Sequence, residues 1–199
     1  MKTENLVPLY ELPQEMLVKL YEEDERFAWK VREFVNDAEG DPIAQELHKA
    51  FNDVQVDWEF GAWQTVRFEF EQKDIPDMYE KILWSVKYLV DNTELDDRIK
   101  DIANKGLVDC QAREKLEDIE PENDEEAARI SDEIDHLNDN IKIFITACES
   151  EIKRFLRSIS TTMEQDAYNE QFLMEFAECY GNYFYDCEDH AVYQITRVK

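Results

Sequence analysis

Between Asn92 and Ile159 the apolar positions fall at helical spacing in two runs, and the rest of the chain is best read around them. In the second run Ile130, Ile134, Leu137, Ile141, Phe144 and Cys148 step by four, three, four, three and four residues, the spacing of a coiled-coil seam. Ile152, Phe155 and Ile159 extend it after an extra step of four, a stutter that locally unwinds a supercoil. In the first run Leu95, Ile99 and Ile102 form an apolar face, which Leu116 and Ile119 rejoin. Glu120-Pro121-Glu122-Asn123-Asp124 lies between the runs and reads as the turn of an antiparallel helical hairpin. Each arm would extend about 40 Å at the helical rise per residue. Asn92 or Thr93 is expected to cap the first arm, and Asn123 with Glu126 resembles a capping box for the second. Gly106 reads as a weak point or a kink, and Ser158 to Thr162 as a break.

The flanks carry shorter signals. Residues 1–12 read as an extended lead-in. Pro13 suits the first turn of a helix holding Met16, Leu17, Leu20, Phe27, Val31, Phe34 and Val35. The acidic cluster Glu22 to Glu25 is either a solvated face of that helix or a break in it. Gly40 is expected to end the element, and Asp41-Pro42 to start a short helix from Ile43 to Phe51. Val54, Val56, Trp58 and Phe60 then alternate with polar residues, as do Val66, Phe68 and Phe70 after Gly61, which is the pattern of a β-hairpin. Pro76 opens a helix containing Ile82, Leu83, Val86, Leu89 and Val90. A further helix runs from Met163 to Tyr180, with Gly181 as its stop. The tail, Tyr183 to Tyr185 and Ala191 to Val198, is strand-like and is expected beside the 54–72 hairpin.

The predicted fold is therefore α+β and mostly helical: a long antiparallel helical hairpin plus a small antiparallel sheet of three or four strands. Residues 1–91 and 160–199 would form an α+β core, with 92–159 as a helical appendage.

Charge changes this picture more than composition does. Apolar residues at 43% and aromatics at 12% place the chain among folded proteins. However, 48 acidic residues face 22 basic ones, for a formal charge of −26. Solubility needs a net charge of only about 2–8 in a domain of this size, and a larger one repels itself. The carboxylates are also unevenly placed. Glu114, Glu117, Asp118, Glu122, Glu125 and Glu126 surround the hairpin tip. Glu164, Glu170, Glu175, Glu178, Asp186, Glu188 and Asp189 lie in an interval, Arg157 to Arg197, that has no base inside it. Glu125, Asp132, Asp135 and Asp139 fall opposite the apolar seam, about 10, 5 and 6 Å apart along the axis. Like charges three or four apart on a helix, such as Glu122 with Glu126 or Asp132 with Asp135, cost a few tenths of a kcal/mol each.

Motifs of chemistry are sparse. Glu133-x-x-His136 has the spacing that di-iron bundles use, with His136 beside the seam. A second copy is missing, because Gln45 stands where a glutamate would precede His48. Asp186, Glu188, Asp189 and His190 share a turn but fit no EF-hand spacing. Cys110, Cys148, Cys179 and Cys187 include no C-x-x-C pair, which argues against zinc and for a reducing compartment. Nucleophile elbows and phosphate loops are absent from the sequence. No catalytic residue, cofactor or metal is therefore expected. Met1-Lys2-Thr3-Glu4 is unlike an export signal, and no apolar run approaches 18 residues, so a cytoplasmic protein is expected, in the host cell if phage-encoded.

Carboxylates spaced along a stiff rod resemble in order of magnitude the phosphates of DNA, about one per 3.4 Å of axis on each strand. The expected function is that of an acidic, non-catalytic inhibitor that mimics nucleic acid. It would block the basic groove of a nuclease, restriction enzyme or CRISPR effector, with no direct nucleic-acid binding and no membrane contact. In composition the chain is similar in kind to phage anti-defence proteins of the anti-CRISPR and anti-restriction type. Two rival readings share the sequence: a coiled-coil assembly protein that homodimerises through the seam, and an immunity or antitoxin protein covering a basic toxin.

Overall fold

The computed structural model describes residues 6–61, 66–186 and 191–194. It is a mostly helical α+β protein with one long helix, as the apolar spacing predicts, and its strands form two small antiparallel sheets where one is expected. Its contacts divide the chain into two compact units. One, here the hairpin unit, holds Pro42–Phe60 and Thr65–Ser158. The other, the terminal unit, holds Met1–Asp41, Gly61–Gln64 and Ile159–Lys199.

In the hairpin unit, helix α3 (Asp41–Ala50) leads into strands β2 (Val56–Glu59) and β3 (Arg67–Phe70). A 3-10 turn at Pro76–Met78 then starts α4 (Tyr79–Asn92), followed by α5 (Asp97–Glu117) and α6 (Asp124–Ala167), whose residues from Ile159 on belong to the terminal unit. Register places Val56 opposite Phe70 and Trp58 opposite Phe68, so the alternating apolar residues share one face. An isolated two-stranded ribbon is marginal in water. Here Phe68 and Phe70 are buried against Phe51 and join a core with Ile82, Leu83, Ile99 and Ile145. The hairpin helices share this core with α3, α4 and the β2–β3 ribbon. Their inner face is filled by α4, α3 and the β2–β3 ribbon, which is why the contacts group 42–60 and 65–91 with them.

Gly106 is not a kink but the point where three helices meet. It is buried inside α5, and a Cβ placed on it would lie 2.8 Å from Leu83 Cδ1 of α4 and 3.3 Å from Phe144 Cβ of α6. The first arm begins later than expected. Asp96 caps it, accepting from the Arg98 amide, while the Thr93 hydroxyl closes α4 by donating to the Leu89 carbonyl. At the other end Asn123 Oδ1 accepts from the Glu126 amide at 2.9 Å, as a capping box requires. The return bond comes from the Glu122 amide, one residue earlier than the usual donor.

In the terminal unit, β1 (Leu6–Pro8) and a 3-10 turn precede α1 (Gln14–Glu23) and α2 (Glu25–Val35); after the end of α6 come α7 (Glu170–Cys179), β4 (Tyr183–Asp186) and β5 (Ala191–Gln194). The acidic cluster at 22–25 is a break. Asp24 is extended, and its carboxylate accepts from the Arg26 and Phe27 amides to start α2. The tail strands do not join the β2–β3 ribbon. Strand β4 is central in a sheet ordered β1-β4-β5, so both of its edges are already taken. Buried Phe27, Phe176 and Tyr183 anchor the interior, with the Phe176 and Tyr180 rings stacked at 4.5 Å.

Two expected breaks are absent and one unexpected break is present. Gly40 does not end a helix. A π turn, Asn36–Gly40, carries α2 into α3, and the widened turn falls directly before Pro42, which has no N–H to give. Gly40 itself is closely packed: a Cβ there would lie 2.8 Å from Asn36 Oδ1 and 3.0 Å from Met163 Cε, so those side chains would have to shift. Ser158–Thr162 is continuous helix. The Ser158 hydroxyl donates back to the Phe155 carbonyl of its own helix, and that of Ser160 donates out of the helix to the Gly61 carbonyl, so the second leaves the helical ladder untouched. The helix expected from Met163 to Tyr180 is instead divided at Tyr168–Asn169, where the Asn169 side chain caps α7.

Leu83 and Phe144 Cβ are held by the surrounding core and cannot retreat from an added methyl group. Gly106→Ala is expected to lower stability by about 1 kcal/mol or more, overpacking outweighing the gain in helix propensity. Urea unfolding of the two proteins measures this, and a more stable variant would contradict the close approach.

Candidate functional site

The hairpin turn and the solvent face of α6 hold the densest carboxylate array. Between Glu114 and Asp139 there are twelve carboxylates against two bases, Lys115 and Arg129. Glu114, Glu117, Asp118, Glu122, Glu125, Asp132, Asp135 and Asp139 are exposed, and Glu126 is half-buried. Glu120, Asp124 and Glu133, which the stripe spacing alone does not select, are exposed beside them.

The array is one-sided because α6 has a buried spine. Ile141, Ile145, Cys148, Ile152 and Leu156 are fully buried, spaced four, three, four and four. Glu125, Asp132 and Asp139 recur every seven residues and so drift only about 20° per step on the helix. They and Asp135 stand on the face away from the spine. Among the described residues none of these four forms an ion pair. His136 is exposed on the same side, not beside the seam.

Not every acid at the tip is available. Glu117 is gripped through both oxygens by the Arg113 guanidinium, at 3.1 and 3.3 Å, and Arg113 also donates to the Pro76 carbonyl. Glu126 is used as a cap. Glu122 precedes the helix and binds Glu126 through its amide, so these two are not the repelling helical pair their spacing suggests. The remainder lean on no base, whereas elsewhere carboxylates are locally neutralised, as with Arg67 and Asp57 at 2.6 Å. Asp96 illustrates the difference: the hydrogen bonds from Arg98 hold its carboxyl down to about 2.

The acids of the terminal unit do not form a comparable stripe. Asp186 is 7% exposed, in the central strand β4, where a binding partner has no access to it. Glu164 is half-buried, with Oε1 enclosed. Glu170 accepts from the Gln14 amide and Glu175 from Gln171 at 2.9 Å. Glu178 is exposed. Glu188 and Asp189 lie outside the described residues.

Among the described residues no three metal-binding side chains converge, and no helix is long and apolar enough to cross a membrane. Burial pushes the Cys148 thiol up to about 12 and that of Cys110 to about 11, so both stay protonated near neutrality. No protein-family model matches the chain, and neither the curated proteins nor the solved structures contain a match.

One carboxyl contact in the terminal unit is tuned the other way. Burial raises the Glu39 carboxyl above its ordinary value, and the neighbouring Asp166, which shares a hydrogen bond with it, raises it further. A raised carboxyl stabilises the fold fully below its unfolded value and loses that contribution as pH climbs through its folded value. Glu39→Gln is therefore expected to raise Tm at pH 7, with the gain shrinking to nothing as pH falls toward about 4. Thermal melts across that range test this; a gain that is largest at low pH would reverse the sign.

Proposed function

We propose that the protein is an acidic, non-catalytic inhibitor whose α5–α6 hairpin enters the basic groove of a nucleic-acid-binding enzyme. The supporting observation is the one-sided stripe of Glu125, Asp132, Asp135 and Asp139, exposed and without ion pairs, on a helix whose opposite face is locked into a core. A basic groove binds phosphate by exchanging it for released counterions, and an array of fixed carboxylates can be exchanged on the same terms. The stiffness of the arm matters because less side-chain and backbone freedom is then lost on binding. The class of target is a nuclease, restriction enzyme or CRISPR effector, met in the cytoplasm of the cell that contains it. An immunity protein facing a basic toxin would use the same surface with a different partner.

Self-assembly through the seam is the weaker reading. From Ile141 to Leu156 the buried spine of α6 is taken up by the protein's own core, while Phe144 and Phe155 within that stretch, and Ile130, Ile134 and Leu137 nearer the tip, are half-buried.

The test is competition. At low salt the protein should displace DNA from a basic nuclease or effector, and displacement should weaken steeply between about 50 and 200 mM salt. The combined Asp132→Lys, Asp135→Lys and Asp139→Lys variant should lose about tenfold or more in potency while keeping its helical circular dichroism. Failure to displace nucleic acid from any such enzyme, or equal potency in the reversed variant, would overturn the proposal.

A further inference from the structure

A cleft of about 660 Å³ in the terminal unit runs along α2 and reaches the β4–β5 sheet. Its size is that of a small-molecule site. Its lining contradicts the rest of the chain. Of its eight described residues three are bases, Arg26, Lys30 and Arg32, against one acid, Glu25, in a protein of charge −26. Phe27, Tyr183 and Val192 supply apolar surface, and Trp29 stands at the opening, 49% exposed.

The bases differ in what holds them. Arg32 Nε donates to the Tyr21 hydroxyl at 3.1 Å, and its guanidinium lies 5.4 Å from the Tyr21 ring centre, which fixes it as a wall. Lys30 bonds Glu33 at 2.5 Å, which raises its pKa and keeps it cationic. Among the described residues no carboxylate pairs with the Arg26 side chain, although the chain has twice as many acids as bases. Trp29 and Lys30 stand three and four residues after Arg26 on one helix, so the Arg26 side chain neighbours both. An exposed indole beside Arg26, with Lys30 on the other side of that arginine, offers a stacking surface next to an anion clamp.

We propose that this cleft binds a small planar anion, with its ring against Trp29 and its anionic group held by Arg26 and Lys30. A nucleotide and an aromatic carboxylate share that chemistry. A macromolecular acid would not be enclosed by a cleft of this volume.

Anilinonaphthalene sulfonate, itself a planar aromatic anion, serves as the probe on the full chain. Its fluorescence titration should saturate with a dissociation constant below about 1 mM. Adenosine monophosphate and indole acetate then compete: displacement by the first assigns a nucleotide, by the second a carboxylate. Arg26→Glu with Lys30→Glu should weaken probe binding about tenfold or more. Trp29→Ala, at an exposed position, should weaken it without altering the fold, and Trp84→Ala on α4 should leave it unchanged. Non-saturable binding, displacement by neither competitor, or equal affinity in the Arg26→Glu, Lys30→Glu and Trp29→Ala proteins would overturn the proposal.

Discussion

The close approach of α4, α5 and α6 at Gly106 is the constraint on which the hairpin unit depends. With no side chain there, the Leu83 methyl groups and Phe144 Cβ come within reach of the same point. The three helices can then share one interior with the β2–β3 ribbon. Interiors are close-packed, so a contact this tight transmits position along the helices that make it. The spine of α6 is consequently fixed in rotation, and the face opposite the spine is fixed with it. The carboxylate stripe inherits its direction from a glycine on a different helix.

The same fixed rotation answers how so large a charge is tolerated. Coulomb repulsion between exposed groups in water is modest at a few ångströms and is screened by salt beyond about 10 Å. Much of the remainder is met locally, by pairs within a turn such as Lys73 with Glu69 or Arg113 with Glu117. Each exposed pair adds little. Their distribution is more telling, because bases are spent on the body of the protein and withheld from α6 between Asp124 and Ile141, apart from Arg129. An evenly solvated surface would not need that separation.

What could be read from the sequence was what local spacing determines. The seam, the turn at Pro121, the β-hairpin around Gly61 and the helix after Pro76 each follow from a period or a single residue type. Where tertiary contacts decide, spacing misleads. Ser158, Ser160 and Thr162 look like a helix break, yet Ser160 is buried and bonded to the Gly61 carbonyl, a partner 99 residues away. Gly40 looks like a stop because glycine usually frees the chain, but here it makes room for Asn36 and Met163. The tail strands were misplaced because alternation says that a strand exists and not which edge it meets. Asp186 shows the limit for the candidate site: an acid in an acidic run reads as surface, yet this one, on strand β4, is buried. Conversely, Arg26, Trp29 and Lys30 carry a legible helical spacing, but it is masked by the overwhelming acidity around them.

These two surfaces separate two physical roles within one acidic chain. On α6, charge of one sign is repeated along an axis with nothing to neutralise it, an arrangement that gains from an extended partner and loses little with any single residue. Along α2, a few charges of the opposite sign converge on an aromatic ring, which favours a compact ligand and makes each residue matter. Repetition gives affinity that salt can erase, because every contact is a solvent-exposed exchange of ions. Convergence in a cleft with an apolar wall gives affinity that salt erases less, because part of it comes from buried ring surface. Binding at the two proposed surfaces should therefore differ in salt sensitivity for a structural reason: one face is opposite a core, and the other has apolar residues in its lining.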